Sequence, residues 1–334
     1  MLSFIEKIKS LFVKKQPSSG SITFKTASPA APDRKPSGGV KSSAVKGPEQ
    51  QESPRKRSAA NTNLKPKGAP SAVSNATKPA VAKPKVVWNP ESFQVEVKEG
   101  KTRFQDLGLP VEILHAIADL NFQYCTPIQA AILPLTLAGK DMAGKAQTGT
   151  GKTAAFLLGI LTRFMKNKQE APKPGTPRAL ILAPTRELAM QIRDDAEKLS
   201  TYTPFKTVAI YGGIDYDKQR RILEQPIDII VATPGRLIDF CNQGVIDLRE
   251  VEVLVIDEAD RMLDMGFIPD VRKIVYKTPP KEKRQTLLFS ATLDDEVMRL
   301  AAAWMVEPGK IEIEPDHHST ALIDQQVYLV TDDP

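Results

Sequence analysis

The sequence predicts an α/β fold with a mostly parallel sheet and helices on both faces, preceded by a disordered basic arm. Three observations carry this. Five short apolar runs, "RALILAP", "KTVAIYGG", "IDIIVAT", "VEVLVID" and "QTLLFSA", alternate with charged amphipathic stretches beyond Asp141. Continuous Val, Ile and Leu runs fit strands buried on both faces, and their alternation with helices fits a parallel sheet joined by right-handed crossovers. The residues up to Lys85 have a different composition altogether.

That first segment carries 17 Lys+Arg against 4 Asp+Glu, so the net charge of +6 over 334 residues hides a basic arm on an acidic body. Residues 16–85 are mostly Pro, Ser, Ala, Lys and Gly, with Phe24 as their sole aromatic. Such a stretch cannot bury enough apolar surface to offset the entropy of ordering, and it is expected to be a disordered linker. A flexible lysine-rich arm suits a polyanion such as RNA, and it equally suits a solubilising role. In residues 1–15, "MLSFIEKIKSLFVKK", Leu2, Ile5, Ile8, Leu11 and Phe12 fall near helical spacing with lysines elsewhere on the wheel. A short amphipathic helix there suits a membrane surface, a protein partner or a frayed end without a role. It is too short and too charged for a membrane span, and it lacks the apolar core of a signal peptide.

Cys125 and Cys241 are far apart and in no metal-ligand spacing, which fits a reduced protein of the cytoplasm. His115 lies in a predicted amphipathic helix, and His317 and His318 follow Pro315 in a polar stretch. Without a third ligand these read as surface residues, and no structural metal is expected.

Each predicted strand delivers a polar cluster at its carboxyl end: "PTRELA", "GG", "TPGRL", "DEAD" and "SAT" in chain order. In a parallel sheet these ends share one edge, the edge at which open α/β sheets bind ligands. Upstream, "AQTGTGKT" fits the phosphate-loop pattern from Gln147 onward, with Ala146 in place of the usual first glycine. Gln147, Thr148, Gly149, Thr150 and Gly151 would wrap their backbone N–H groups around phosphates at a helix amino end. Lys152 would reach the outer phosphates and the Thr153 hydroxyl would help place Mg²⁺. At the end of "VLVIDEAD", Asp257 can hold Mg²⁺ through water, and Glu258 can orient and deprotonate an attacking water.

Taken with "NFQYCTPIQ", these motifs resemble in order and spacing the first half of a DEAD-box ATP-dependent RNA helicase, over about Phe104 to Glu314. Ala146 fits that resemblance, since the family's loop is similar to A-x-T-G-x-G-K-T. The wording of "CTPIQAAILPLTLAGKDMAGKAQTGTGKT" and "YGGIDYDKQ" resembles the bacterial RhlB-type branch associated with RNA-degrading machinery. The resemblance implies a RecA-like P-loop NTPase domain that uses ATP and Mg²⁺. It implies that the segment with Phe122, Thr126, Pro127, Ile128 and Gln129 reads adenine, with Phe104 stacked on the base. The chemistry agrees, because a glutamine amide offers a donor and an acceptor to adenine's edge. Asn121 stands where the family usually has Gly, and Asn tolerates a left-handed turn.

On the RNA side the resemblance assigns Pro184, Thr185, Arg186 and Glu187, then Gly212 and Gly213, then Thr233, Pro234, Gly235 and Arg236 to the sugar-phosphate backbone. Binding of that kind is independent of base sequence and weakened by salt. Ser290 and Thr292, bonded to the acidic motif, are implied to couple hydrolysis to RNA grip, together with Asp260. An RNA-degrading complex is the implied partner.

The expected organisation is therefore the short helix over 1–15, the linker over 16–85, the RecA-like domain over 86–318, and over 319–334 a linker opening into a second lobe. The later motifs of such a lobe, including its arginine finger, are not among the 334 residues. The chain is expected to be the first half of an RNA helicase that turns over ATP poorly by itself. The alternative is a catalytically weak nucleotide- and RNA-binding module or assembly factor. Another class of phosphate-loop ATPase is disfavoured by Gln129 and "SAT".

Overall fold

The computed structural model describes residues 88–147 and 149–313. The expected helix over 1–15, the linker, the segment 319–334, Thr148, His317 and His318 lie outside the described residues. The domain bounds expected at 86 and 318 lie outside them too.

All five predicted runs form strands. They are β2 (Ala179–Leu182), β3 (Thr207–Ile210), β4 (Ile229–Ala232), β5 (Val253–Ile256) and β6 (Gln285–Ser290). Two more complete the sheet, β1 (Met142–Lys145) before the glycine loop and β7 (Gly309–Glu312). Neither announces itself by an apolar run: "MAGK" and "GKIE" hold their place by pairing, β1 to β6 on one side and to β7 on the other. The seven strands take the order β3-β4-β2-β5-β6-β1-β7. Every strand pairing is parallel, so the sheet expected as mostly parallel is parallel throughout the described residues.

Along each strand, alternate side chains enter opposite cores, as the strand period of two requires. Ile181, Val231, Val255 and Phe289 pack with α1 (Val111–Asp119), α2 (Pro127–Leu137), α3 (Lys152–Lys166) and α4 (Arg186–Leu199). Leu182, Ile230, Leu254 and Leu288 belong to the second core, with residues of α5 (Tyr216–Leu223), α6 (Pro234–Asn242), α7 (Ala259–Asp264), α8 (Ile268–Lys277) and α9 (Asp295–Trp304). Two apolar faces explain why the runs are continuous in sequence.

The strand order sorts the carboxyl-end clusters. β1, β6 and β5 are adjacent, which brings together the glycine loop, "SAT" and "DEAD". β2, β4 and β3 are adjacent on the other half, which brings together "PTRELA", "TPGRL" and "GG".

Candidate nucleotide site and nucleic-acid interface

The glycine loop runs from β1 into α3. Gly149 and Gly151 have φ of 86° and 92°, the left-handed region that an L side chain rarely adopts. Gly151 is required twice, because a Cβ there would also collide with the Gln129 side-chain amide. Thr150 donates from Oγ1 to the Gln147 carbonyl at 2.8 Å and tightens the loop. Lys152 and Thr153 then open α3, whose amino end carries partial positive charge.

Gln129 explains how the upstream segment reaches this loop. Thr126 caps α2 reciprocally: its hydroxyl accepts from Gln129 N, and its own N donates to Gln129 Oε1 at 2.9 Å. Gln129 Nε2 donates to the Gly151 carbonyl at 3.0 Å. Among the described residues this leaves one N–H and one lone pair on the amide, the complement that adenine's edge needs.

Phe104 is only 1% exposed and belongs to the apolar core, yet its side chain also borders the cavity beside Gln129. Phe122 is 39% exposed, and its ring lies 6.4 Å from that of Phe104 at 28°. Both rings border a cavity of about 370 Å³ shared with Gln129, Gly151, Lys152 and Thr153, with Phe122 the more exposed of the two. Asn121 has φ of 55°, the left-handed turn expected of it.

The acidic motif sits at the end of β5. Asp257 is fully buried, and its Oδ1 lies 2.8 Å from Lys152 Nζ. Burial pushes the Asp257 carboxyl above the ordinary carboxylate range, with the Lys152 ammonium opposing it. Its Oδ2 is buried and has no hydrogen-bond partner among the described residues. Glu258 adopts φ 56° and ψ 55°, an uncommon left-handed conformation for a non-glycine residue, and pairs with Arg261 at 3.2 Å.

"SAT" touches the acidic motif directly. Ser290 Oγ accepts from Asp260 N at 3.1 Å, and Asp260 Oδ2 accepts from Ala291 N at 3.0 Å and Thr292 N at 3.2 Å. The Ser290 carbonyl accepts from Ala146 N at 3.0 Å, which ties the same turn to the glycine loop. The Thr292 hydroxyl points elsewhere, to Asp294 Oδ2 at 3.5 Å.

On the other half, Pro184 is buried, and Thr185 caps α4 by accepting from Leu188 N at 3.3 Å. Arg186 and Glu187 are exposed and paired at 2.8 Å. Arg186 lies beside Gly213, and Arg236 donates to the Ile214 carbonyl at 3.3 Å, so the three clusters form one surface with exposed Gly212, Gly213 and Gly235. Thr233 and Pro234 open α6 there. Sequence reasoning missed Arg261, whose proximity to Glu258 follows from the helical turn of α7, and the Gln129–Gly151 bond, which no local signal announces.

A parallel sheet with helices on both faces, a glycine loop after β1 and an acidic β5 end has the form of a phosphate-loop nucleoside triphosphatase lobe. The chain belongs to the DEAD/DEAH box helicase family, whose model matches residues 126–300. It is 55% identical over 242 residues to the ATP-dependent RNA helicase RhlB of Pseudomonas putida, a match covering 71% of this chain and 60% of that protein. The protein of the same name from Actinobacillus succinogenes is 52% identical over 213 residues, 64% of this chain and 51% of the relative. That of Xanthomonas oryzae is 48% identical over 232 residues, 69% and 40%. The RhlB-type likeness read from the motifs is borne out, and the chain spans 60% or less of the length of these relatives.

Proposed function

We propose that this chain supplies the nucleotide-binding lobe of an ATP-dependent RNA helicase, with ATP at the β1-β6-β5 end and single-stranded RNA along the β2-β4-β3 end. One observation carries the reading: the sheet order puts the glycine loop and the acidic motif on either side of "SAT", which bonds to both.

In this reading the cavity beside Phe122 takes the adenine, with Gln129 supplying its remaining donor and acceptor. The N–H groups of the loop from Ala146 to Gly151 and the Lys152 ammonium hold the phosphates. The lone Oδ2 of Asp257 and the Thr153 hydroxyl fit a hydrated Mg²⁺, which when bound neutralises charge on the phosphate oxygens. Lys152 exchanges its contact with Asp257 for the outer phosphate. Glu258 takes the proton of the attacking water. Asp260, Ser290 and Thr292 connect this event to the RNA half, and the exposed arginine and glycines there grip phosphate without reading bases. The basic arm adds attraction that does not depend on sequence. A second lobe supplies the arginine finger, and RNA turnover in the cytoplasm, with an RNA-degrading complex as partner, is the process that the motifs favour.

The test is ATP turnover by the 334-residue chain with and without single-stranded RNA, beside Glu258→Gln. Turnover that RNA stimulates and Glu258→Gln abolishes is expected. Binding of both ligands with turnover no higher than the control would assign the binding-module alternative. Failure to bind either would contradict both.

A further inference from the structure

Both arginines of the RNA half were expected to pair with phosphate, yet the fold treats them differently. Arg186 is exposed, its pairing with Glu187 is a surface one, and its Nη1 lies 3.1 Å from where a Gly213 Cβ would be. Arg236 is half-buried. Its guanidinium lies 5.3 Å from the centre of the Tyr216 ring and 6.0 Å from that of Phe240, and these rings stack on each other at 4.5 Å. Tyr216 is held in turn by its hydroxyl, which donates to Gln243 Oε1 at 2.6 Å. Arg236 Nη1 is buried without a hydrogen-bond partner among the described residues, while Nη2 donates to the Ile214 carbonyl at 3.3 Å. The hydrogen bond of this guanidinium thus goes to the turn between β3 and α5.

We propose that Arg236 is a positioning residue: it clamps the Gly212–Gly213 turn in the conformation that receives the RNA backbone, and Arg186 makes the phosphate contact. This rests on the RNA reading given above. Two successive glycines, the second at φ 83°, lose more conformational entropy on ordering than other residues, so a turn built from them binds weakly unless something else orders it first. Arg236 does this through a planar group that stacks on Tyr216 and bonds to Ile214 together. A lysine has the charge without the plane or the fork.

The discriminating variant is Arg236→Lys, with Tyr216→Leu as a second that removes the supporting ring and no charge. Amide hydrogen exchange at residues 212–215 is measured on each protein alone, and single-stranded RNA affinity across a salt series. Both variants are expected to exchange faster at this turn and to bind RNA about tenfold more weakly, with an unchanged salt slope. Arg186→Ala is expected to lower the slope by about one. Unchanged exchange in Arg236→Lys and Tyr216→Leu would overturn the clamp. Normal RNA binding by Arg236→Lys, with a slope lowered by about one in Arg236→Ala, would make Arg236 a phosphate contact and overturn the proposal. Faster exchange in variants of a protein that binds no RNA would leave the clamp standing, sink the RNA reading and with it the purpose assigned here.

Discussion

Lys152 and Asp257 form the most consequential pair in the molecule. Both are buried, and removing one partner of such a pair leaves an uncompensated charge at a cost of about 3–5 kcal/mol. Lys152→Ala should therefore destabilise the chain markedly in urea unfolding, and adding Asp257→Asn should recover part of the loss. Full additivity of the two substitutions would show that the pair is not coupled. Ser290 and Thr292 also separate at this scale. Ser290 bonds Asp260 through its hydroxyl, whereas Thr292 does so through its backbone N–H, which an alanine keeps. Ser290→Ala should weaken the RNA dependence of ATP turnover more than Thr292→Ala does, and the reverse order would count against the bonding described. The cysteines are chemically quiet: burial pushes the Cys125 thiol up to about 12 and that of Cys241 up to about 11. Both should react far more slowly with a thiol reagent in the folded protein than in urea.

At the scale of elements, the amino ends of the strands carry buried acids that the site does not use. Asp228, just before β4, accepts from Lys206 N at 2.9 Å, and burial raises its carboxyl above its ordinary 3.8. A raised folded value means that its contribution to stability is fully present below the unfolded value and lost as pH rises through the folded one. Asp228→Asn keeps an acceptor for Lys206 and removes the charge. It should raise the melting temperature relative to the parent more near neutrality than in mild acid, as calorimetry at both conditions would read. Strands β2 to β6 were legible in the sequence because residues such as Ile181 and Leu182 must satisfy two cores at once. Strands β1 and β7 were not, since Gly144 and Lys310 carry no apolar signal and their place is fixed by neighbours distant in sequence. The same limit applied to the aromatic pair: the family resemblance placed Phe104 and Phe122 near the site, but only packing sets how far each ring is exposed.

Over the whole molecule, the linear order of motifs becomes a division of one sheet edge into two halves, the glycine loop, "SAT" and "DEAD" on one and "PTRELA", "TPGRL" and "GG" on the other. The motif residues themselves were legible because phosphate chemistry restricts them to glycines, a lysine and adjacent acids. The contacts between motifs, such as Gln129 to Gly151 and Ala146 to Ser290, were not, because they join residues that only the fold brings together. The half of this edge around Lys152 is proposed to bind an adenine nucleotide. Its most direct test is equilibrium binding of labelled ATP with Mg²⁺ to the chain and to Lys152→Ala, with unlabelled ATP and GTP as competitors. Saturable binding to the parent, displacement by ATP well before GTP, and loss of binding in the variant are expected. Equal binding to both proteins, or equal competition by the two nucleotides, would contradict it.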